Sequence, residues 1–370
     1  MKNAIGLILN IDCEDPSLKE FLQHRSLSTL PFGGRYRLID FALSNMVNSG
    51  LSHIGVIGSN KYNSLVDHLG TGKEWSLSRK TQDLSILAGA NSGRLGHKMK
   101  VNLKDLQNNR DFLENASGEH VIISPPNHIT SFDYRNAYEI HSQNNSDVTL
   151  IYKKDDSTYH LHDDDIYLDL YNKRVSSIYY KKEQQTNYFF TEMLIIKKSI
   201  LIQFLDLCEC IGDWDLMDMI AINLDTLRVF SAEHTGYLKR IKTLENYMKA
   251  SMDLLEYDIM QELFLKKASI HTKIKDNHPS IYRDSSSVSH SIVGSGCNID
   301  GTIFHSIIFR DIIMGSGSQI KNSIIMQKCK IGNHVTLDYV VMDKDTKISD
   351  YTTLIGKPHD PIIIKKGTVI

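Results

Sequence analysis

The sequence predicts an α/β chain in two parts, a doubly wound, Rossmann-like domain followed by a left-handed β-helix of hexapeptide repeats. Three observations predict it. Continuous apolar runs alternate with amphipathic helical patterns through the first two thirds of the chain, beyond about residue 280 the texture changes to short β-branched runs broken by Gly, Asn and Asp, and there one tetrad recurs.

The elements follow in order. Ala4 to Ile11, His53 to Gly58, His120 to Ser124 and Asp147 to Tyr152 are apolar runs expected to form parallel strands covered on both faces. Tyr36 to Asn48, with Leu38, Ala42, Leu43, Met46 and Val47 inward, and Ser64 to Leu69 carry helical spacing. Ile166 to Leu170, Val175 to Tyr180 and Tyr188 to Ile196 are expected as further strands, and Ile200 to Cys208 and Thr243 to Glu256 as helices. These patterns give a first domain over residues 1–258, a polar connector over 259–280 and a β-helix over 281–370. In the last part His290-Ser291-Ile292-Val293, His305-Ser306-Ile307-Ile308, Asn322-Ser323-Ile324-Ile325 and Asp338-Tyr339-Val340-Val341 recur about every 16 residues. Apolar residues six apart, Val293/Ile299, Ile307/Ile313 and Ile325/Ile331, subdivide the repeat, so each flat face is expected to send one aliphatic inward. Hexapeptide β-helices also occur in acyltransferases with a basic His, but His290 and His305 hold the same repeat position, which accounts for both.

Composition narrows the function. The 370 residues carry 42 Lys+Arg against 44 Asp+Glu, a formal net charge of -2, so no global basic field draws nucleic acid or anionic membrane. The five cysteines, Cys13, Cys208, Cys210, Cys297 and Cys329, are odd in number and lack metal-ligand spacing, as expected of free thiols in a cytoplasmic protein. The opening MKNAIGLILNI leads straight into Asp12, Glu14 and Asp15 without a cleavage site, which marks a buried strand rather than a signal peptide. No apolar stretch reaches the roughly 18 residues needed to span a bilayer.

One segment is far more specific. Pro31-Phe32-Gly33-Gly34-Arg35-Tyr36-Arg37-Leu38-Ile39-Asp40-Phe41-Ala42-Leu43-Ser44-Asn45-Met46-Val47-Asn48-Ser49-Gly50 resembles the corresponding stretch of ADP-glucose pyrophosphorylases. The likeness continues through Gly236-Tyr237, Thr243-Leu244-Glu245-Asn246-Tyr247 and Met252-Asp253-Leu254-Leu255 into the β-helix. It implies a nucleotidyltransferase-type first domain and chemistry in which ATP adenylates glucose 1-phosphate. That reaction needs backbone amides around the triphosphate, cations on the departing pyrophosphate and carboxylates holding the metal.

At each of these places the chain departs from the family. The glycine loop is replaced by Asn10-Ile11-Asp12-Cys13-Glu14-Asp15-Pro16, and no glycine stands between Gly6 and Gly33. At phosphate distance each of the three acids would oppose a polyanion by on the order of 1 kcal/mol or more. The family's phosphate Lys becomes Leu27 in Arg25-Ser26-Leu27-Ser28. The first metal carboxylate becomes Asn127 in Pro125-Pro126-Asn127-His128, and the second becomes Arg240 in Leu238-Lys239-Arg240-Ile241-Lys242-Thr243. A neutral amide and a cation do not hold Mg²⁺. No catalytic residue or metal site is therefore expected, and no new carboxylate pair stands beside the lost ones.

The likeness is nearest to the GlgD-type accessory subunits of the family, which implies a regulatory subunit that assembles with a catalytic homologue as a hetero-tetramer, or with itself. The alternative is a weakly active or altered-specificity sugar-phosphate nucleotidyltransferase, and a third reading is a pure assembly scaffold. The family's sugar-phosphate Lys would fall at Lys181, whose neighbours do not match the motif. The basic residue after Phe-Gly-Gly, which in the family meets anionic effectors, is Arg35, with Arg37 two places on, so a phosphorylated metabolite is the expected effector. Lys365 and Lys366 form a second basic edge. His160, His162, Asp163, Asp164 and Asp165 make the one metal-like run and are expected at a polar hairpin tip.

Overall fold

A computed structural model describes the chain except residues 2, 10, 12, 14, 59–60, 79–82, 90–100, 155–164, 180–185, 212–213 and 267. By its contacts the chain forms two compact units whose segments interleave: Met1–Asp12, Phe41–Leu238 and Ala268–His271 in the first, Cys13–Asp40, Lys239–Lys267 and Thr272–Ile370 in the second. Among the described residues no helix is long and apolar enough to cross a membrane.

The first unit is built on a nine-stranded sheet. Its strands are β1 (Ala4–Ile8), β2 (His53–Gly58), β3 (Asp83–Ala88), β4 (His120–Ser124), β5 (Val148–Lys154), β6 (Tyr167–Tyr171), β7 (Arg174–Tyr179), β8 (Tyr188–Lys197) and β9 (Val229–Glu233). They lie in the order β3-β2-β1-β4-β8-β5-β9-β7-β6. The four runs expected to be parallel share one direction, but β8 enters antiparallel between β4 and β5. Burial on both faces suits the aliphatic runs: Ile5, Leu7, Val121, Ile123, Leu150, Leu194 and Ile196 share one core with Leu201 and Leu205 of the helix Lys198–Ile211. β3 and β9 were not expected from the sequence.

The second unit holds the β-helix, whose three faces stack coil on coil in parallel register. Its inner column includes Ile299, Ile308, Met314, Ile325, Ile331, Met342 and Ile348. The coils depart from the expected pattern in two places. Ile308 and Met314 face inward, while Ile313 is exposed, so Ile307/Ile313 is not an inner pair. The fourth tetrad is also shifted by one residue: Ile324 pairs with Val341, and Tyr339 takes the corner held by His290, His305 and Asn322. All four corner residues have φ between 46° and 51°, the left-handed turn each coil needs.

On one face the outward column is aliphatic as well, and Ile307, Ile324 and Val341 have no exposed surface. The quoted motif reaches this face. Gly33 (φ 56°) and Gly34 (φ 78°) make a tight turn between the short strands Pro31–Phe32 and Tyr36–Arg37, and a Cβ on Gly34 would lie 3.3 Å from Ile292. This hairpin displaces the expected helix start to Leu38. Two family-like segments and a following helix pack against the hairpin. Tyr247 of the helix Leu244–Asp253 donates its hydroxyl to Pro31 O at 2.7 Å, Leu254 lies under Gly33, and Phe264 of the helix Tyr257–Phe264 stacks on Tyr36 at 5.0 Å.

Candidate functional site

The segment that replaces the glycine loop spends its described carboxylate on its own backbone. Asp15 caps the helix Pro16–Phe21, accepting from Leu18 N–H at 2.6 Å, with Pro16 suited to the first helical position. Asp12 and Glu14 lie outside the described residues. Leu27 is buried at the head of the 3-10 turn Leu27–Thr29, closed by Leu30 N–H donating to Leu27 O at 3.0 Å. Two residues earlier Arg25 turns to the β-helix, and its Nη2 lies 2.7 and 2.8 Å from the two oxygens of Asp343.

Arg240, on the short strand Leu238–Arg240, is only 5% exposed. It is a buried guanidinium rather than a solvated surface charge, and it offers a divalent cation no ligand oxygen. Its neighbour Lys239 lies 3.9 Å from Asp253, itself part of a family-like segment.

In the first unit Asn127 has no exposed surface and leads into the short strand His128–Thr130. His128 is buried with it, and its Nε2 lies 3.8 Å from Oε2 of Glu192, a carboxylate inside an otherwise largely apolar strand. Glu192 has φ 61°, a conformation that costs an L-residue about 1–2 kcal/mol. Nothing in the local sequence pattern marks it, because its place depends on a bulge in β8. Nearby, His234 Nδ1 accepts from Gly236 N–H at 3.1 Å, which leaves Nε2 protonated to donate to Thr130 Oγ1 at 2.7 Å, while that hydroxyl donates to Tyr237 O. This chain of bonds fixes the loop after β9.

The expected effector arginines sit in a cationic patch of the second unit. Arg35 is exposed, with its guanidinium 5.4 Å from the centre of the Tyr36 ring. Arg37 donates its backbone N–H to Asp40 at 2.9 Å, which fixes the helix start. Two further cations, Arg310 and Lys344, join them. Burial and the Arg35 charge hold Arg310 below its ordinary range. Burial, then the Arg25 and Arg37 charges, push the Lys344 ammonium down to about 8. Lys366 adds to that repulsion, while Lys365 is engaged with Glu20 at 3.5 Å. Mutual repulsion of this kind marks a place where an anion is favoured.

The remaining candidates separate from these. The rings of His290 and His305 stack at 5.3 Å, and His305 Nδ1 lies 2.8 Å from Asn322 Oδ1 at the next corner. Both belong to the corner ladder. Lys181, His160, His162, Asp163 and Asp164 lie outside the described residues, and Asp165 is buried. Among the described residues no cluster of three or more His, Cys, Asp or Glu could hold a metal.

Both parts of the chain are similar to known proteins. The nucleotidyl transferase family pattern matches residues 23–161, and the GlmU-like C-terminal hexapeptide pattern matches residues 277–361. The chain is 31% identical over 355 residues to the glycogen biosynthesis protein GlgD of Bacillus subtilis (strain 168), covering 95% of this chain and 93% of the relative. It is 31% identical over 369 residues to the GlgD protein of Geobacillus stearothermophilus, covering 100% and 98%. To the glucose-1-phosphate adenylyltransferase of Fervidobacterium nodosum (strain ATCC 35602 / DSM 5306 / Rt17-B1) it is 28% identical over 357 residues, covering 95% and 85%.

Proposed function

The chain belongs to the family of GlgD glycogen biosynthesis proteins and glucose-1-phosphate adenylyltransferases, and from that premise we propose that it is a catalytically degenerate subunit of glycogen biosynthesis that regulates a catalytic homologue. The observation that carries the reading is Arg240, a buried cation at the position where the resemblance puts a metal carboxylate. Asn127 offers the other such position only a neutral oxygen. These donors do not fit Mg²⁺.

What the chain retains supports the same reading. Gly33, Gly34, Tyr36, Tyr247 and Leu254, all within family-like segments, pack the second unit rather than serving phosphate chemistry. A partner that binds two conformations of a catalytic subunit unequally must shift their balance. A phosphorylated metabolite held by Arg35, Arg37 and Lys344 would couple to that balance through the Arg25–Asp343 pair beside it.

The test mixes the chain with a catalytic homologue from the same organism and follows assembly by light scattering and initial rates with phosphorylated sugars. We expect a hetero-oligomer whose apparent affinities differ by about 5- to 150-fold from those of the catalytic subunit alone. Arg35→Ala and Lys344→Ala should blunt the effector response and leave assembly intact. Failure to assemble at micromolar concentration, assembly with unchanged kinetics, or turnover by the isolated chain overturns the proposal.

A further inference from the structure

Glu192 differs from every other described strand residue of the nine-stranded sheet in having a left-handed backbone, at φ 61°. The cause is local. Phe190 pairs with Tyr152 and Leu194 with Leu150, so three residues of β8 span the single partner Ile151 and the strand bulges. Both flanks are pinned: Thr191 donates its hydroxyl to Ile151 O at 2.7 Å, and the buried Tyr134 donates its own to Met193 Sδ at 3.3 Å. A glycine would meet the bulge without strain. The chain instead puts there a carboxylate, buried with its side chain 6% exposed, 3.8 Å from the imidazole of His128.

The position gives this chemical meaning. β4 ends at Ser124, and Leu194 of the antiparallel β8 pairs with Ile123, so Glu192 lies past the carboxyl end of β4. That is the edge at which open α/β sheets receive small ligands. Ser124, Asn127, His128, Thr191 and Glu192 are all buried there. Backbone strain and a desolvated carboxylate both oppose folding, and such a residue persists only where its surroundings over-determine it.

We propose that Glu192 is a built-in occupant of this edge: its carboxylate, delivered by the bulge to His128, fills the place an oxyanion of a small ligand would take and closes the site to anions. Removing the carboxylate should therefore create an anion site that the natural chain lacks. The test uses the isolated full-length chain and inorganic phosphate, with sodium chloride at matched ionic strength and Lys344→Ala in every protein to silence the basic patch. Melting temperature against phosphate concentration reads binding. Glu192→Gly should bind phosphate at least about tenfold more tightly than its parent, and without phosphate it should melt above Glu192→Gln, which keeps the strain and the bulk. Glu192→Asn, short, neutral and tolerant of the left-handed conformation, repeats the measurement should the glycine variant not fold. The idea is overturned if a folded Gly or Asn variant gains no phosphate dependence over its parent, or if Glu192→Gln is as stable as Glu192→Gly. Assembly with a catalytic homologue is a separate measurement, so the fate of this inference does not decide the proposed function.

Discussion

Arg25 and Asp343, 318 residues apart, meet through a two-pronged ion pair in which one guanidinium nitrogen lies 2.7 and 2.8 Å from the two carboxylate oxygens, with both residues 3% exposed. Removing one member strands the other charge in a dry environment. Arg25→Ala or Asp343→Asn should cost about 3–5 kcal/mol in urea unfolding, whereas replacing both by apolar residues of similar volume should cost far less. Equal losses in the single and double variants would mean the pair is not coupled.

Gly34→Ala should destabilise the chain by more than the 1–2 kcal/mol or so expected for a left-handed L-residue, because the new methyl lies 3.3 Å from Ile292 on the buried outer face of the β-helix. Gly367→Ala is the comparison. Its φ of 73° imposes similar strain, but nothing lies within 4 Å of the added atom. Thermal unfolding that ranks the two variants equally would remove packing from the explanation.

Restoring carboxylates with Asn127→Asp and Arg240→Asp together should not bring turnover from ATP and glucose 1-phosphate. Leu27 stays buried where the resemblance puts a phosphate lysine, and Asp15 stays committed to its helix cap. Initial rates decide. A double variant that works like a catalytic homologue would make the loop far less important than its chemistry implies.

His141 gives the stability a pH dependence. Burial, then the charges of His120 and Lys197, with Asp147 opposing, push its pKa down from 6.5 to about 3. The unfolded chain therefore binds the proton more tightly. The contribution is intact above about pH 6.5 and is lost as pH falls toward 3, reaching about 2 kcal/mol by pH 5. Denaturant midpoints at pH 7.5 and 5 should show the loss, and His141→Gln should lessen it. A difference unchanged in that variant would assign the acid sensitivity to other groups.

The sheet strands that alternate with helical patterns were legible because burial on both faces makes them continuous apolar runs, and the β-helix because each coil must send aliphatics inward at a fixed period. β3 and β9 were not: Asp83 and Ser85, or Ser231 and Glu233, break their apolar runs, and neighbouring strands rather than their own composition place them. Tyr36 and Arg37 follow helical spacing, yet the left-handed Gly33 and Gly34 put them in a hairpin. In the site, the substitutions at Leu27, Asn127 and Arg240 could be read directly against a motif. Glu192, Arg310 and Lys344 could not, since their surroundings come from residues distant along the chain.

The closure of the second unit also sets an order of events. Residues 13–40 leave the ribosome early, but Ile292, Ile308 and Asp343, which they meet, are made some hundreds of residues later. Until then Phe32 and Leu38, buried in the finished protein, have no native cover there, and contacts of such sequence separation are slow to form. A chain that stops short of Asp343 would leave its own beginning unanchored, so premature termination near the end should be felt as misfolding at the start.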